Sequence, residues 1–229
     1  MQPDYPMTAQ GAVLAESRHK VLRSTYLMLA LTLVPTAIGT MIGVNLDLGF
    51  MRSNPIIAAF AVLAIFYGWI FAIERNKDSG LGVGLLLGFT LFLGLLLGPL
   101  LQTAMGLSNG GRLVLLAAGG TAATFFGLAA VATTTRRDFS YLGNFLMVGV
   151  IVVMLAVVAN IFLASPLLHL VLCGAFVLIS SMLILYQLSA IVNGGETNYV
   201  SATLTLYIGI YNLFTSLLHL LMAFAGERE

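Results

Sequence analysis

The sequence predicts an all-α polytopic membrane protein built as a bundle of seven transmembrane helices. Three observations carry that prediction. Of 229 residues, 59% are hydrophobic and only 8% are charged, against about 25% charged in soluble domains. A soluble fold of this size could not hide so much apolar surface, so its solvent has to be lipid. Seven apolar runs each reach the length of about 20 residues needed to cross a bilayer. The connectors between them are short and rich in turn formers, which makes sequence neighbours antiparallel and the bundle compact.

The first span runs from about Val21 to Val44, after a mixed, polar segment "MQPDYPMTAQGAVLAES". That segment lacks the basic and apolar regions of a signal peptide, so residues 1–17 read as a flexible cytoplasmic tail and 18–229 as one transmembrane domain. The second span, Pro55 to Ile73, opens on a proline, where a missing N–H does no harm. The third, Leu81 to Met105, carries two glycine pairs at four-residue spacing, Gly84 with Gly88 and Gly94 with Gly98. Small residues at that spacing let helix backbones approach in lipid. Pro99 offers a kink beside Gly98. The fourth span covers Leu113 to Thr133 and the fifth Tyr141 to Leu163. Only "ASP" separates the fifth from the sixth, Pro166 to Val192, and Pro166 marks the break. The seventh runs from Tyr199 to Ala225 after "NGGETN".

Basic residues orient the bundle. Arg18, Lys20, Arg23, Arg75, Lys77, Arg136 and Arg137 fall on one side; Arg52, Arg112 and Arg228 fall on the other. The expectation is a cytoplasmic N-terminus and a periplasmic C-terminus.

Several function classes drop out. A net charge of +1 leaves no nucleic-acid footprint. The single cysteine, Cys173, excludes an intrachain disulfide. Apart from Arg23 at the cytoplasmic entry of the first span, no Asp, Glu, Lys or Arg lies inside the spans, whereas pumps and coupled transporters place ionisable groups at membrane depth. His169 and His219 sit at similar depth near the outer surface. Two histidines without an acidic or thiolate partner make a poor metal site, so no metal and no cofactor are expected. No G-x-S-x-G motif is present, and the reading is not an enzyme.

What remains polar inside the spans is a set of amides and tyrosines. Asn144, Asn160, Asn212, Tyr207 and Tyr211 are candidates for a polar path, and the ordinary alternative is interhelical hydrogen bonding. Gln187 and Gly209 flank the last connector, 9 residues before and 13 after Glu196. At about 1.5 Å rise per residue they fall at comparable depth, offset by about one turn. Tyr207 or Tyr211 is the expected hydroxyl partner for the Gln187 amide.

The strings "GLLLGPLLQ", "AAGGTAATFFGLA", "TTRRDFSYLGNFLMVG" and "NGGETNYVSATLTLYIGIYNLF" resemble the Bax inhibitor-1 family, and above all its bacterial inner-membrane branch. The resemblance covers nearly the whole chain after residue 18. It implies a seven-helix bundle with the last helix at its centre. Some members are pH-sensitive calcium leaks gated by an aspartate on each of the last two helices. Those gate positions correspond here to Gln187 and Gly209, neither of which can titrate. The bacterial branch implies another role, as a binding inhibitor of the membrane-bound AAA protease that removes jammed translocation channels. The expected partners are therefore the bilayer and that protease. Calcium, as a permeant ion, is the alternative.

Overall fold

A computed structural model describes residues 7–46, 53–135 and 137–226. Among the described residues seven long helices follow in order: α1 (Met7–Asn45), α2 (Pro55–Arg75), α3 (Gly80–Met105), α4 (Gly110–Thr135), α5 (Leu142–Leu163), α6 (Pro166–Asn193) and α7 (Tyr199–Gly226). All seven are long and apolar enough to cross a membrane, the first of them from His19. There is no strand among the described residues. The spans match the sequence expectation to within about a turn, with one difference. The first helix extends back to Met7, so residues 7–17 of the expected flexible tail are helical. Residues 1–6, Arg52, Arg136 and Arg228 lie outside the described residues.

Local chemistry explains the helix boundaries. Ser165 caps α6 by accepting from the Leu168 amide at 3.3 Å, and Pro166 takes the first helical position. Ala164 turns the chain with a φ of 47°. Gly194 ends α6 in the left-handed region, at φ 80°, and the Gly195 amide donates back to the Ala190 carbonyl at 2.8 Å. Glycine is favoured there because it has no Cβ to clash.

The helices are not equivalent. α7 packs against α1, α2, α3, α4 and α6, and leaves only α5 untouched. Its buried side chains include Ser201, Thr203, Tyr207 and Ser216. A helix surrounded by protein can carry hydroxyls, because neighbouring backbones satisfy them. α5 is the opposite case. Phe145, Met147, Ile151, Leu155 and Phe162 all face outward, exposed as lipid-facing residues must be.

α1 and α3 form the closest seam. A Cβ placed on Gly39 would strike the Leu91 carbonyl, one on Gly94 the Thr36 carbonyl, and one on Gly98 the backbone of Gly43. The second glycine pair of α3 is thus the packing surface. The first pair is not, since Gly84 faces open space and Gly88 makes room for the Trp69 ring of α2. The Trp69 indole also donates to the Leu85 carbonyl at 2.9 Å. Pro99 lies within an unbroken α3, and the Thr103 hydroxyl donates to its carbonyl at 2.9 Å.

Candidate functional site: the α6–α7 hairpin

The hairpin that carries Gln187 and Gly209 is tied at its connector to the rest of the bundle. Asn198 is the central residue. Its Oδ1 accepts from the amides of Val200 and Ser201 at 2.9 and 3.2 Å, capping the first turn of α7. Its Nδ2 donates to Asp78 Oδ1 at 2.7 Å and to the Lys77 carbonyl at 3.2 Å, which joins α7 to the α2–α3 connector. The Ser201 hydroxyl donates to Glu74, and Glu74 pairs with Lys77 at 3.2 Å. On the other flank, Ser189 Oγ donates to the Arg137 carbonyl and accepts from the Phe139 amide, both at 3.1 Å. All three connectors at this end therefore meet on α6 and α7.

The Lys77 ammonium is held above the ordinary lysine range, first by its hydrogen bond to Glu74 and then by the Glu74, Glu196 and Asp78 charges. A raised lysine stabilises the fold below its unfolded pKa and loses that contribution only as pH rises through the higher folded value. The Lys77 side of this latch therefore stays charged through neutral pH. Substituting Asn198→Ala removes both a cap and a tie. The expected cost is about 1–2 kcal/mol, read as a lower unfolding midpoint in detergent. An unchanged midpoint would contradict the assigned role.

Gln187 is buried on α6, on the same stripe as Ser180 and Ile184. Gly209 lies against that stripe one turn further along: a Cβ on it would sit 2.9 Å from Ile184 Cγ1 and 3.6 Å from the Ser180 carbonyl. The one-turn offset expected from the sequence is therefore present. The expected tyrosine partner is not. The Tyr207 hydroxyl shares a 2.6 Å hydrogen bond with Thr36 Oγ1, and the Tyr211 hydroxyl donates to the Leu93 carbonyl at 3.1 Å. Positions 207 and 211 lie one turn apart on the α7 face toward α1 and α3, whereas position 209 points the other way. Gln187 Nε2 is buried with no hydrogen-bond partner.

The other polar-path candidates do not gather into a line. Tyr207 and Tyr211 stack, with ring centroids 6.3 Å apart. Asn212 is half-buried on α7. Asn144 is exposed in the first turn of lipid-facing α5. Asn160 sits at the far end of α5, where its Oδ1 accepts from the Ser165 amide at 3.1 Å and holds the α5–α6 turn. The two amides on α5 are thus at helix ends. At the opposite end of the bundle, His169 and His219 meet with ring centroids 5.0 Å apart. The expectation that these histidines lack a thiolate partner fails here, because the Cys173 sulfur lies within 4.8 Å of a ring nitrogen of each. The missed signal was its spacing: four residues after His169, it shares that helix face.

The family model for "Inhibitor of apoptosis-promoting Bax1" matches residues 18–226. The chain belongs to the Bax inhibitor-1 family. Within the curated members of this Bax inhibitor-1 group, the chain is 43% identical over 205 residues to the Escherichia coli protein named "Modulator of FtsH protease YccA", covering 90% of each chain. It is 42% identical over 213 residues to an uncharacterized protein of Neisseria meningitidis, covering 92% of this chain and 94% of that one. A Pseudomonas aeruginosa relative is 40% identical over 219 residues, covering 95% and 96%. The central α7 seen here is the arrangement that the family resemblance implied.

Proposed function

We propose that this Bax inhibitor-1 protein modulates a membrane-anchored FtsH-type protease by binding it, without catalysing a reaction itself. The observation that carries the reading is the 43% identity, across 90% of both chains, to a relative named as a modulator of that protease. The protein sits in a bacterial inner membrane with its N-terminus and the α2–α3, α4–α5 and α6–α7 connectors on the cytoplasmic side. The excess of basic residues there supports that orientation. A handle for the protease is the segment before the first span, residues 1–17.

Gln187 and Gly209 weigh against a proton-gated calcium leak. A carboxylate pair can share a proton and separate when both groups ionise, but an amide and a glycine have no proton to lose near neutral pH. Packing of Gly209 on Ile184 favours a seam that stays closed.

Two measurements test the reading together. Detergent-solubilised, tag-free chain is expected to co-purify with FtsH, and its overproduction should slow turnover of an FtsH membrane substrate. Liposomes holding the purified chain are expected to show little calcium flux, with no acid-to-neutral switch. Absence of co-purification together with pH-dependent flux would overturn the proposal in favour of the channel.

A further inference from the structure

We propose that His169, Cys173 and His219 form a binding site for a d10 transition-metal cation, Zn2+ or Cu+, at the end of the bundle opposite the α6–α7 connector. Each residue offers one ligand atom, and the three atoms all lie within 4.8 Å of one another. His169 and Cys173 stand four residues apart in the first two turns of α6, so helix geometry alone puts them on one face. His219 comes from the penultimate turns of α7, brought alongside by the antiparallel hairpin.

The distances suit a metal. Tetrahedral coordination with metal–sulfur and metal–nitrogen bonds of about 2.3 and 2.05 Å requires an S···N edge of about 3.6 Å and an N···N edge of about 3.3 Å. Cys173 Sγ and His169 Nε2 are already 3.7 Å apart. The three atoms lie within 4.8 Å of one another, so the longest separation needs to shorten by at most about 1.2 to 1.5 Å to reach those edges, a shift that small rotamer changes supply.

The Thr215 carbonyl points the same way. His219 Nδ1 lies 2.8 Å from the Thr215 carbonyl oxygen. A carbonyl can only accept, so Nδ1 carries the proton and Nε2 presents its lone pair. Metal-bound histidines almost always donate their second ring N–H to such a group, which fixes tautomer and orientation.

Ligand type selects the ion. One thiolate and two imidazoles suit zinc and copper, whereas calcium and magnesium require oxygen donors. Metal binding displaces the Cys173 thiol proton to solvent, and the thiolate then cancels one unit of the ion's charge. A Cu+ complex is therefore neutral and a Zn2+ complex carries a single positive charge. The neutral one costs less to hold beside buried Cys173. Entry is open from two sides. His169 is exposed at the start of α6, and His219 borders a cleft of about 520 Å³ between α3 and α7, lined also by Pro99, Thr103, Thr215 and Met222. The fourth coordination position falls to water or another small ligand.

The test uses tag-free, full-length protein in detergent with a non-coordinating reductant. Zn2+ and Cu+ are each titrated in competition with a chromophoric chelator, and Co2+ serves as the spectroscopic stand-in for zinc. The unaltered chain is expected to hold one ion per chain, and Co2+ to produce a thiolate-to-metal charge-transfer band that excess Ca2+ leaves in place. Cys173→Ser should abolish the band, and His219→Asn should weaken affinity at least about tenfold. Neither Zn2+ nor Cu+ retained by the unaltered chain, or a cobalt spectrum without the thiolate band, would overturn the proposal whatever the variants do. Equal affinity in Cys173→Ser and the unaltered chain would overturn it as well.

Discussion

Gly98→Val is expected to destabilise the bundle by about 3 kcal/mol, while Gly84→Val, in the same helix, changes stability by less than about 0.5 kcal/mol. The two glycines look alike in the sequence. In the fold, a side chain at position 98 collides with the backbone of Gly43 and Val44, whereas position 84 has nothing within 4 Å. A collision with a flexible side chain could be relieved by a rotamer change. One with a backbone requires α1 and α3 to separate, and the packing of those helices is what holds them in lipid. The rate at which buried Cys173 becomes reactive to a thiol probe on heating, in the presence of chelator, reads both changes. Similar midpoints for the two variants would mean that the α1–α3 seam is not as close as described here.

Gln187→Leu is expected to stabilise the protein by about 1–3 kcal/mol. A buried donor without a partner costs its desolvation free energy, and an apolar residue of similar size removes that cost. Gln187 Nε2 is such a donor, in a setting of Ile184, Leu188 and Ile191 on the same helix. Thr25 Oγ1, fully buried on α1, is in the same position, and Thr25→Val should act in the same direction. A lower unfolding midpoint for Gln187→Leu would show that the amide has a partner that the isolated chain does not supply.

Position 187 also shows how far pattern reasoning reaches. Antiparallel geometry placed Gln187 and Gly209 about one turn apart in depth, and Gly209 does lie against Ile184, three residues from Gln187. Depth depends only on rise per residue and connector length, both visible in a sequence. Azimuth does not. Whether Tyr207 turned toward Gln187 or toward Thr36 depended on which helices surround α7, and α1 and α3 arrive from more than a hundred residues away. The same division separates Gly84, which faces open space, from Gly98, which meets the backbone of α1.

The sequence by itself determined the seven spans, their antiparallel order and the break at Pro166. Each follows from local terms: apolar length against bilayer thickness, turn residues, and a proline without a donor. It also determined that positions 187 and 209 hold no titratable group. Tertiary structure alone decided the rest. It set α7 at the centre with its hydroxyls satisfied by α1, α2 and α3, pressed the Gly94 and Gly98 face onto α1, and brought Cys173 into reach of two histidines on different helices. In lipid every span is apolar on all sides, so hydrophobicity does not tell which face meets which neighbour. Close backbone approach and hydrogen bonding between distant segments make that choice.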